Sequence, residues 1–262
     1  MIIDIHAHCF PDNLANRAVS ILTNKGGIKA HTDGTIKDLK RSMKEAGIDK
    51  SVIQPIATKP EQTESINRWA TEICDEKIIS FGTIHPDYIP WKSEIKKLAY
   101  NGVKGVKLHP DYQDFFVDEP KLFPIYEELF LNGLIVIFHA GIDIGMPEPV
   151  HCTPKRLSNV IESFPGSTII AAHMGGYMCT EDVFRYLVGK DVYFDTSYSY
   201  DYMGNNIMTK MIKDHGTDKI LFGTDSPWTD QTVEVNNIKS LELGEDKFNL
   251  IACENAKKLL KI

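Results

Sequence analysis

The sequence predicts one (β/α)8 barrel, a TIM barrel, in a single domain that spans residues 1–262. Eight short apolar runs rich in β-branched residues recur along the chain, amphipathic segments separate them, and ionisable residues stand where most of the runs end. Parallel strands joined by helices require this alternation, and a barrel of this kind has roughly 250 residues. A doubly wound open sheet is the alternative arrangement.

The first predicted strand, MIIDIHAHCF, carries Asp4, His6 and His8 among apolar residues. Side chains two positions apart on a strand point the same way, so His6 and His8 share a face and could converge on one point. Two imidazoles on one face favour a metal site. The alternative is a pair of hydrogen-bonded histidines inside a core.

Seven further strands are predicted at regular intervals. They are SVIQP from Ser51, IISFGTI from Ile78, GVKGVKLH from Gly102, LIVIFHA from Leu134, STIIAAH from Ser167, DVYFDTS from Asp191 and KILFGTD from Lys219. With MIIDIHAHCF they complete the eight strands of a barrel.

Amphipathic helices are predicted between these strands. They cover residues 35–47, 61–76, 90–102, 120–133, 153–166, 180–190 and 208–216, and a last helix runs over 246–260. Several of these segments end in a glycine, which suits the left-handed residue that follows a helix.

Two connections are longer than barrel loops usually are. The first covers residues 9–34 and contains a short predicted helix, NLANRAVSIL, and the second covers residues 140–153. Both follow strands, which predicts that they lie on the C-terminal face of the barrel, where active sites form. Long loops there often serve as lids or binding loops.

Ionisable residues at the predicted strand ends indicate the site. They are His6, His8, Lys107, His109, His139, His173, Asp195 and Asp225. A barrel brings strand ends together, and each unpaired polar group in a dry cavity would cost about 1–3 kcal/mol. One divalent cation would satisfy several of them. Zinc suits imidazole and carboxylate ligands best, and manganese, iron and nickel are also compatible with them.

Four motifs resemble, in order, the signature of the amidohydrolase superfamily: DIHAH, FHAG around His139, AAHMGG around His173 and GTDSPW around Asp225. The stretches GVKGVKLHPDYQ and PVHCTPKRLSNVIESFPGSTIIAAHMGG resemble its amidohydrolase 2 branch, which mixes hydrolases with nonoxidative decarboxylases. The resemblance implies a distorted barrel with metal on His6, His8, His139 and Asp225. It also implies that His173 is a catalytic or second-metal residue. The alternatives are a capped strand-end histidine for His139, a turn residue for His173 and a helix cap for Asp225.

Three further residues are expected to contact substrate, namely Lys107, His109 and His151. Lys107 could instead be carboxylated to bridge two metals or could pair with Asp195, and we expect it to be unmodified. His151 is included because it lies in the second long loop. The two glycines after Met174 are expected to let a substrate approach the backbone closely.

The preferred function is metal-dependent hydrolysis of an amide, lactone or ester-like bond in a small substrate. A metal-activated water would attack, Asp225 would move its proton, and His173 would polarise the carbonyl. The alternative is a nonoxidative decarboxylase of an aromatic or unsaturated carboxylic acid. Arginine is the natural carboxylate clamp. Only Arg17 and Arg156, of five arginines, lie near the long loops, which favours hydrolysis.

Two other functions are less well supported. A metal sensor without turnover would need protein ligands at every coordination position. A nuclease-type barrel would need a glutamate at a middle strand end and a basic surface, whereas the fourth strand ends in KLHP and the chain is acidic.

The composition restricts the partners. The formal net charge of −7 disfavours nucleic acid and anionic membrane surfaces, so a small molecule is the expected partner. No signal peptide is recognised, and the longest apolar runs are too short to span a bilayer. Five scattered cysteines fit a reducing compartment, which predicts a cytoplasmic location. A homo-oligomer is left open.

Overall fold

Parallel strands follow one another around a closed barrel in the computed structural model, which describes all residues, Met1–Ile262. The strands are β1 (Ile3–Ala7), β2 (Lys50–Ile53), β3 (Ile78–Ser80), β4 (Gly82–Thr83), β5 (Gly105–Leu108), β6 (Ile135–Phe138), β7 (Ile169–Ala171), β8 (Tyr193–Asp195) and β9 (Ile220–Leu221). β3 and β4 are two pieces of the third barrel strand, separated by Phe81. All eight predicted strands are therefore present.

Backbone hydrogen bonds between the first and last strands close the barrel. The N–H of Ile5 donates to the carbonyl of Phe222 at 2.8 Å, and the N–H of Asp225 donates to the carbonyl of His6 at 2.7 Å. Ala7 and Ser226 form a further parallel bridge. A doubly wound open sheet has two free edges, so this closure confirms the (β/α)8 barrel.

Helices surround the barrel in the expected order. They are α1 (Asp12–Gly26), α2 (Ile36–Ala46), α3 (Thr63–Glu72), α4 (Trp91–Tyr100), α5 (Phe123–Leu131), α6 (Pro154–Ser163), α7 (Thr180–Tyr186), α8 (Tyr200–His215), α9 (Gln231–Ser240), α10 (Glu245–Asn249) and α11 (Asn255–Leu260). A π-helical turn, Leu250–Glu254, joins α10 to α11. None of these helices combines the length and the apolar character that crossing a bilayer requires.

Two helices differ from the sequence prediction. α8 begins at Tyr200, well before the predicted start at residue 208, and its backbone breaks at Gly204 with φ 66°. α9 was not predicted, because QTVEVNNIKS has a weak apolar pattern. Asp230 nevertheless caps it by accepting hydrogen bonds from the N–H groups of Thr232 and Val233.

Apolar side chains fill the barrel below the site. Ile135, Ile137 and Ile170 belong to one fully buried cluster, against which Ala256 and Leu260 of α11 pack. A second, larger cluster lies between the strands and the surrounding helices. The polar strand ends therefore lie above an apolar interior.

A buried carboxylate ties β1 to the segment after β9. Asp4 accepts hydrogen bonds from the N–H of His6 at 3.1 Å, from Thr224 N–H at 3.0 Å and Oγ1 at 2.7 Å, and from Gln231 Nε2 at 2.8 Å. Burial raises the pKa of Asp4 to about 7, and these hydrogen bonds oppose that rise. Asp4 therefore holds the barrel closed beside the first predicted ligands.

We predict that Asp4→Ala lowers the free energy of unfolding by about 2–4 kcal/mol, because several buried donors lose their acceptor. Asp49→Ala is the matched control. Its carboxylate accepts a hydrogen bond from the N–H of Ile2 at 2.7 Å but is half exposed, so we expect a loss below about 1 kcal/mol. Urea unfolding of both variants is the measurement, and equal losses would contradict the closing role of Asp4.

Candidate active site

Seven of the eight predicted site residues line one cavity at the C-terminal end of the barrel. They are His6, His8, Lys107, His109, His139, His173 and Asp225. The exception is His151, which is not part of the lining. The strand ends bring these side chains together because the barrel closes between β9 and β1.

His6, His8 and Asp225 form one of three groups of potential ligands. The Nε2 atom of His8 lies 3.1 Å from Oδ1 of Asp225, and the Nε2 atom of His6 lies 3.4 Å from the same oxygen. Both imidazole rings therefore direct one nitrogen at a single carboxylate oxygen.

The other ring nitrogens of His6 and His8 face hydrogen-bond acceptors. His6 Nδ1 lies 3.0 Å from Oδ2 of Asp195, and His8 Nδ1 lies 2.8 Å from the carbonyl oxygen of Gln54. Each Nδ1 must carry a proton to make these bonds, which leaves a lone pair on each Nε2 when the ring is neutral. The pKa of His6 lies well below its ordinary value, because of burial first and of nearby Lys107 second. His6 is therefore neutral.

With both rings neutral, three acceptor atoms meet at one point: Nε2 of His6, Nε2 of His8 and Oδ1 of Asp225. Burial raises the pKa of Asp225, but the contact with the His8 imidazole and the neighbouring His6 and His173 outweigh it, so the pKa lies below its ordinary value. An ionised carboxylate beside two imidazole lone pairs is the donor set that divalent transition metals bind. The residues present therefore fit a metal ion.

His139 directs an unpaired nitrogen into the same cavity. The Nδ1 atom of His173 lies 3.1 Å from the carbonyl oxygen of Ser197 and must donate to it, so Nε2 of His173 accepts from Nδ1 of His139 at 3.1 Å. The remaining nitrogen of His139, Nε2, is buried and has no hydrogen-bond partner. A buried imidazole nitrogen with a lone pair and no donor is a second indication of a metal ligand.

The structure also groups His139 with His109 and Asp143. The N–H of Tyr112 donates to Nδ1 of His109 at 3.3 Å, which leaves the proton on Nε2, 3.2 Å from Oδ2 of Asp143. His109 therefore acts as a donor to Asp143, and its ring stacks on His139 with centroids 4.1 Å apart. This His109–Asp143 pair orients His139. It also holds the second long loop against the strand ends that form the floor of the cavity.

Lys107 is fully buried beside the ligands. Its Nζ atom lies 3.2 Å from Nε2 of His6, and it forms no ion pair with Asp195, which instead binds His6. Burial lowers the pKa of Lys107 to about 8, although the nearby carboxylates of Asp195 and Asp225 raise it. The pairing of Lys107 with Asp195 that the sequence allowed is therefore absent.

His151 lies away from the cavity because the second long loop folds back on the loop after β5. Its backbone N–H and its Nδ1 both contact Oδ1 of Asp111, at 3.1 and 2.9 Å. His151 was expected to contact substrate because it lies in the second long loop. In the structure its side chain instead binds Asp111 and holds this loop in place.

The two expected catalytic residues have strained backbones. Asp225 has φ 66° and His173 has φ 59°, in the left-handed region that costs a non-glycine residue about 1 kcal/mol or more. Gly175 follows at φ 88°, where a Cβ would lie 2.9 Å from the Phe194 ring. The expectation that these glycines admit substrate is thus wrong for Gly175, which accommodates a core side chain.

The cavity above the floor has a volume of about 740 Å³. α1 forms one wall, Trp69 and Ile66 of α3 contribute to another, and residues 142–145 of the second long loop complete the lining. Both long connections predicted to lie at the C-terminal face therefore border the cavity.

The sequence reasoning missed the residues that fix the ligands. Asp195 was recognised as a strand-end acid but not as the partner of His6, and Ser197 donates to Asp195 while its Oγ lies 3.0 Å from Nδ1 of His173. No sequence pattern singles out Asp143 or Gln54. The motif DTS, which begins at the last residue of β8, is the one available signal, since short polar side chains there end a buried strand.

The sequence model of the amidohydrolase family matches residues 3–262. The chain belongs to the amidohydrolase family. This amidohydrolase is accordingly an enzyme of a metal-dependent family, and it carries groups of candidate metal ligands. No curated protein sequence matches it significantly.

Solved structures share the fold. An uncharacterised TIM-barrel protein from Bordetella bronchiseptica has a TM-score of 0.79 at 20% identity, covering 99% of this chain and 98% of that chain. A 2,6-dihydroxybenzoate decarboxylase from Rhizobium has 0.76 at 16%, covering 99% and 98%. A 5-carboxyvanillate decarboxylase from Novosphingobium aromaticivorans, complexed with manganese and 4-hydroxy-3-methoxy-5-nitrobenzoic acid, has 0.74 at 14%, covering 100% and 96%. At these identities the likeness establishes the barrel fold.

We predict that the amidohydrolase binds about one divalent ion per chain through His6, His8, His139 and Asp225. Replacing His6 and His8 together by alanine should reduce the metal content to background, because the remaining ligands cannot hold the ion. His31→Ala is the control, since His31 is partly exposed and outside the cavity. Inductively coupled plasma mass spectrometry measures the content, and unchanged metal in the double variant would refute the ligand assignment.

We predict that Lys107 is an unmodified amine. A carbamate needs a second metal to stabilise its charge, and the one nitrogen within reach of Nζ is that of His6. Intact-protein mass spectrometry under native conditions should show no added carboxyl group. A carbamate together with two metal ions per chain would contradict the mononuclear site.

Proposed function

We propose that this amidohydrolase is a metal-dependent, nonoxidative decarboxylase of a carboxylic acid with an aromatic or unsaturated core. The observation that carries the proposal is the convergence of His6, His8 and Asp225 ligand atoms beside buried Lys107, in a cavity that His139, with its unpartnered Nε2, also lines. Such a floor combines a metal site with one protein cation, and both can bind a carboxylate.

Of the two activities inferred from the sequence, decarboxylation now has better support than hydrolysis. Hydrolysis was preferred because few arginines lie near the loops, and in the structure Arg156 pairs with Asp118 at 2.6 Å. The cavity lining contains no arginine, and Lys107 is its one basic side chain apart from the histidines. A metal and Lys107 together remove the need for an arginine clamp. The named decarboxylases with the same fold add support.

A bound divalent cation would supply positive charge beside the carboxylate and hydroxyl oxygens of the substrate. Lys107 would donate to the carboxylate from the inner end of the cavity. Asp225, ionised and facing the cavity, would take the proton of the substrate hydroxyl and deliver it to the carbon that bears the carboxylate. The C–C bond then breaks, its electron pair returns to the ring, CO2 leaves, and the phenolic oxygen keeps the negative charge.

His173 would act on the reaction through His139. Its Nε2 accepts the Nδ1 proton of His139, which fixes the tautomer and the direction of the ligand nitrogen. The His109 ring stacks on the same His139 ring, with centroids 4.1 Å apart. We therefore propose His173 as a positioning residue and Asp225 as the proton carrier.

The proposal also covers the identity of the metal and the cellular compartment of the protein. Manganese is the first metal to test because the 5-carboxyvanillate decarboxylase was solved with it, and zinc stays the prediction of the sequence. A cytoplasmic, reducing location is supported by the five cysteines, all of which are free thiols.

We predict that the manganese-loaded enzyme releases CO2 from 2,6-dihydroxybenzoate, used as a probe, and that a chelator stops the release until manganese is returned. Product chromatography and CO2 detection measure this. A panel of lactones and amides is the comparison. Turnover of that panel with no CO2 release from any hydroxyaromatic acid would restore the hydrolase interpretation.

We predict that Asp225→Asn keeps the fold but lowers turnover by roughly 10²–10⁴-fold, the usual contribution of a proton-transfer group. Asp201→Asn, in the exposed first turn of α8, is the control and should retain full activity. Turnover, metal content and melting temperature are measured on the same preparations. Full activity of Asp225→Asn would remove this residue from the mechanism.

We predict that His173→Asn lowers turnover together with metal affinity, because the shorter side chain withdraws the acceptor that Nε2 of His173 provides to Nδ1 of His139. The measurement is a manganese titration followed by kinetics at saturating metal. If affinity is unchanged while turnover falls, His173 acts directly on the substrate, as the sequence suggested.

A further inference from the structure

The cavity is larger than a single-ring acid requires. Its volume of about 740 Å³ lies in the range of roughly 300–1,000 Å³ that accommodates drug-sized ligands. The polar ligand groups occupy only its inner end. Above them the lining is mainly apolar, and it includes Leu14, Ala18, Ile21, Leu22, Ile66 and Trp69.

Large apolar side chains remain exposed at the mouth of this cavity. Leu14 and Ile21 of α1 are 49% and 53% exposed, and Ile144 of the second long loop is 42% exposed, although all three belong to the lining. A continuous apolar wall thus runs from the buried floor to solvent. Exposed apolar surface that borders one cavity indicates a ligand that covers it.

The charges of the lining restrict that ligand further. Lys107, at the inner end, is the one lysine or arginine in the lining, and the carboxylates are those of Asp143 and Asp225. Lys25, close to the mouth, lies outside the lining, and its Nζ is over the Tyr112 ring, 4.7 Å from the ring centroid. The ligand that fits has one acidic end and an uncharged, apolar body.

We propose that the substrate is an amphipathic acid, whose carboxylate binds at the floor beside Lys107 and whose extended apolar body lies against α1 and Ile144. This proposal rests on the proposed function for the reacting end. It adds that an alkyl chain or a second ring beyond the reacting ring contributes most of the binding.

The test compares two probes that share the reacting end, 2-hydroxybenzoic acid and its 4-hexyl derivative. Isothermal titration calorimetry of the manganese-loaded protein gives both dissociation constants. Each fully buried methylene contributes roughly a factor of four, and ordering the chain offsets part of this. We expect the hexyl acid to bind at least about 30-fold more tightly, with a more negative heat capacity change.

The double substitution Leu14→Asn and Ile21→Asn should remove most of this gain and leave the affinity for 2-hydroxybenzoic acid unchanged. Both side chains are half exposed, so the fold should tolerate the change. Leu131→Asn on α5 is the matched control, because Leu131 is exposed and lies outside the cavity. It should keep the full preference for the hexyl acid.

Equal affinity for the two acids, or no binding of the hexyl acid at millimolar concentration, would overturn the proposal. It is also overturned if the double variant changes the oligomeric state and not the affinity, since the mouth would then be an interface between copies. Tail-dependent binding without turnover of any acid supports the cavity assignment and rejects the decarboxylase. Turnover of short acids, with no tighter binding of the hexyl acid, supports the decarboxylase and rejects the cavity assignment.

Discussion

The site depends on a group of potential metal ligands that meet at one point. His8 Nε2 and His6 Nε2 lie 3.1 and 3.4 Å from the same oxygen of Asp225. The Nδ1 of each ring donates a hydrogen bond to another acceptor. When both rings are neutral, lone pairs and negative charge at these distances repel each other. A divalent cation would relieve this repulsion, and we propose His139 as its further ligand. Metal binding is therefore the condition under which the floor of the barrel becomes electrostatically complete.

The barrel holds this unfavourable arrangement by tying its two ends together. The N–H of Asp225 donates to the carbonyl of His6, and Asp4 below them accepts several hydrogen bonds from both segments. Asp225 and His173 also keep left-handed backbones that cost free energy. The closed sheet and its apolar interior offset these costs. The two long connections and α3 build the outer part of the cavity, whereas the strand ends carry the potential metal ligands.

Features that depend on local sequence patterns could be predicted, and contacts between residues distant in the chain could not. The eight strands follow from local apolar runs, whereas α9 has few apolar residues and depends on packing. The shared face of His6 and His8 follows from strand periodicity. Their partners Asp195 and Gln54 depend on the register of distant strands, which no local pattern encodes. His151 shows the same limit for loops, because its direction is set by Asp111, a residue 40 positions away in the chain.

Anomalous X-ray diffraction from crystals of the manganese-loaded protein, recorded above the manganese absorption edge, tests the central claim most directly. A single anomalous peak within bonding distance of His6 Nε2, His8 Nε2 and Asp225 Oδ1, with His139 as a further ligand, is the predicted result. A peak between His109, His139 and Asp143, or no peak in the barrel, would contradict the assignment of the metal site on which the proposed chemistry rests.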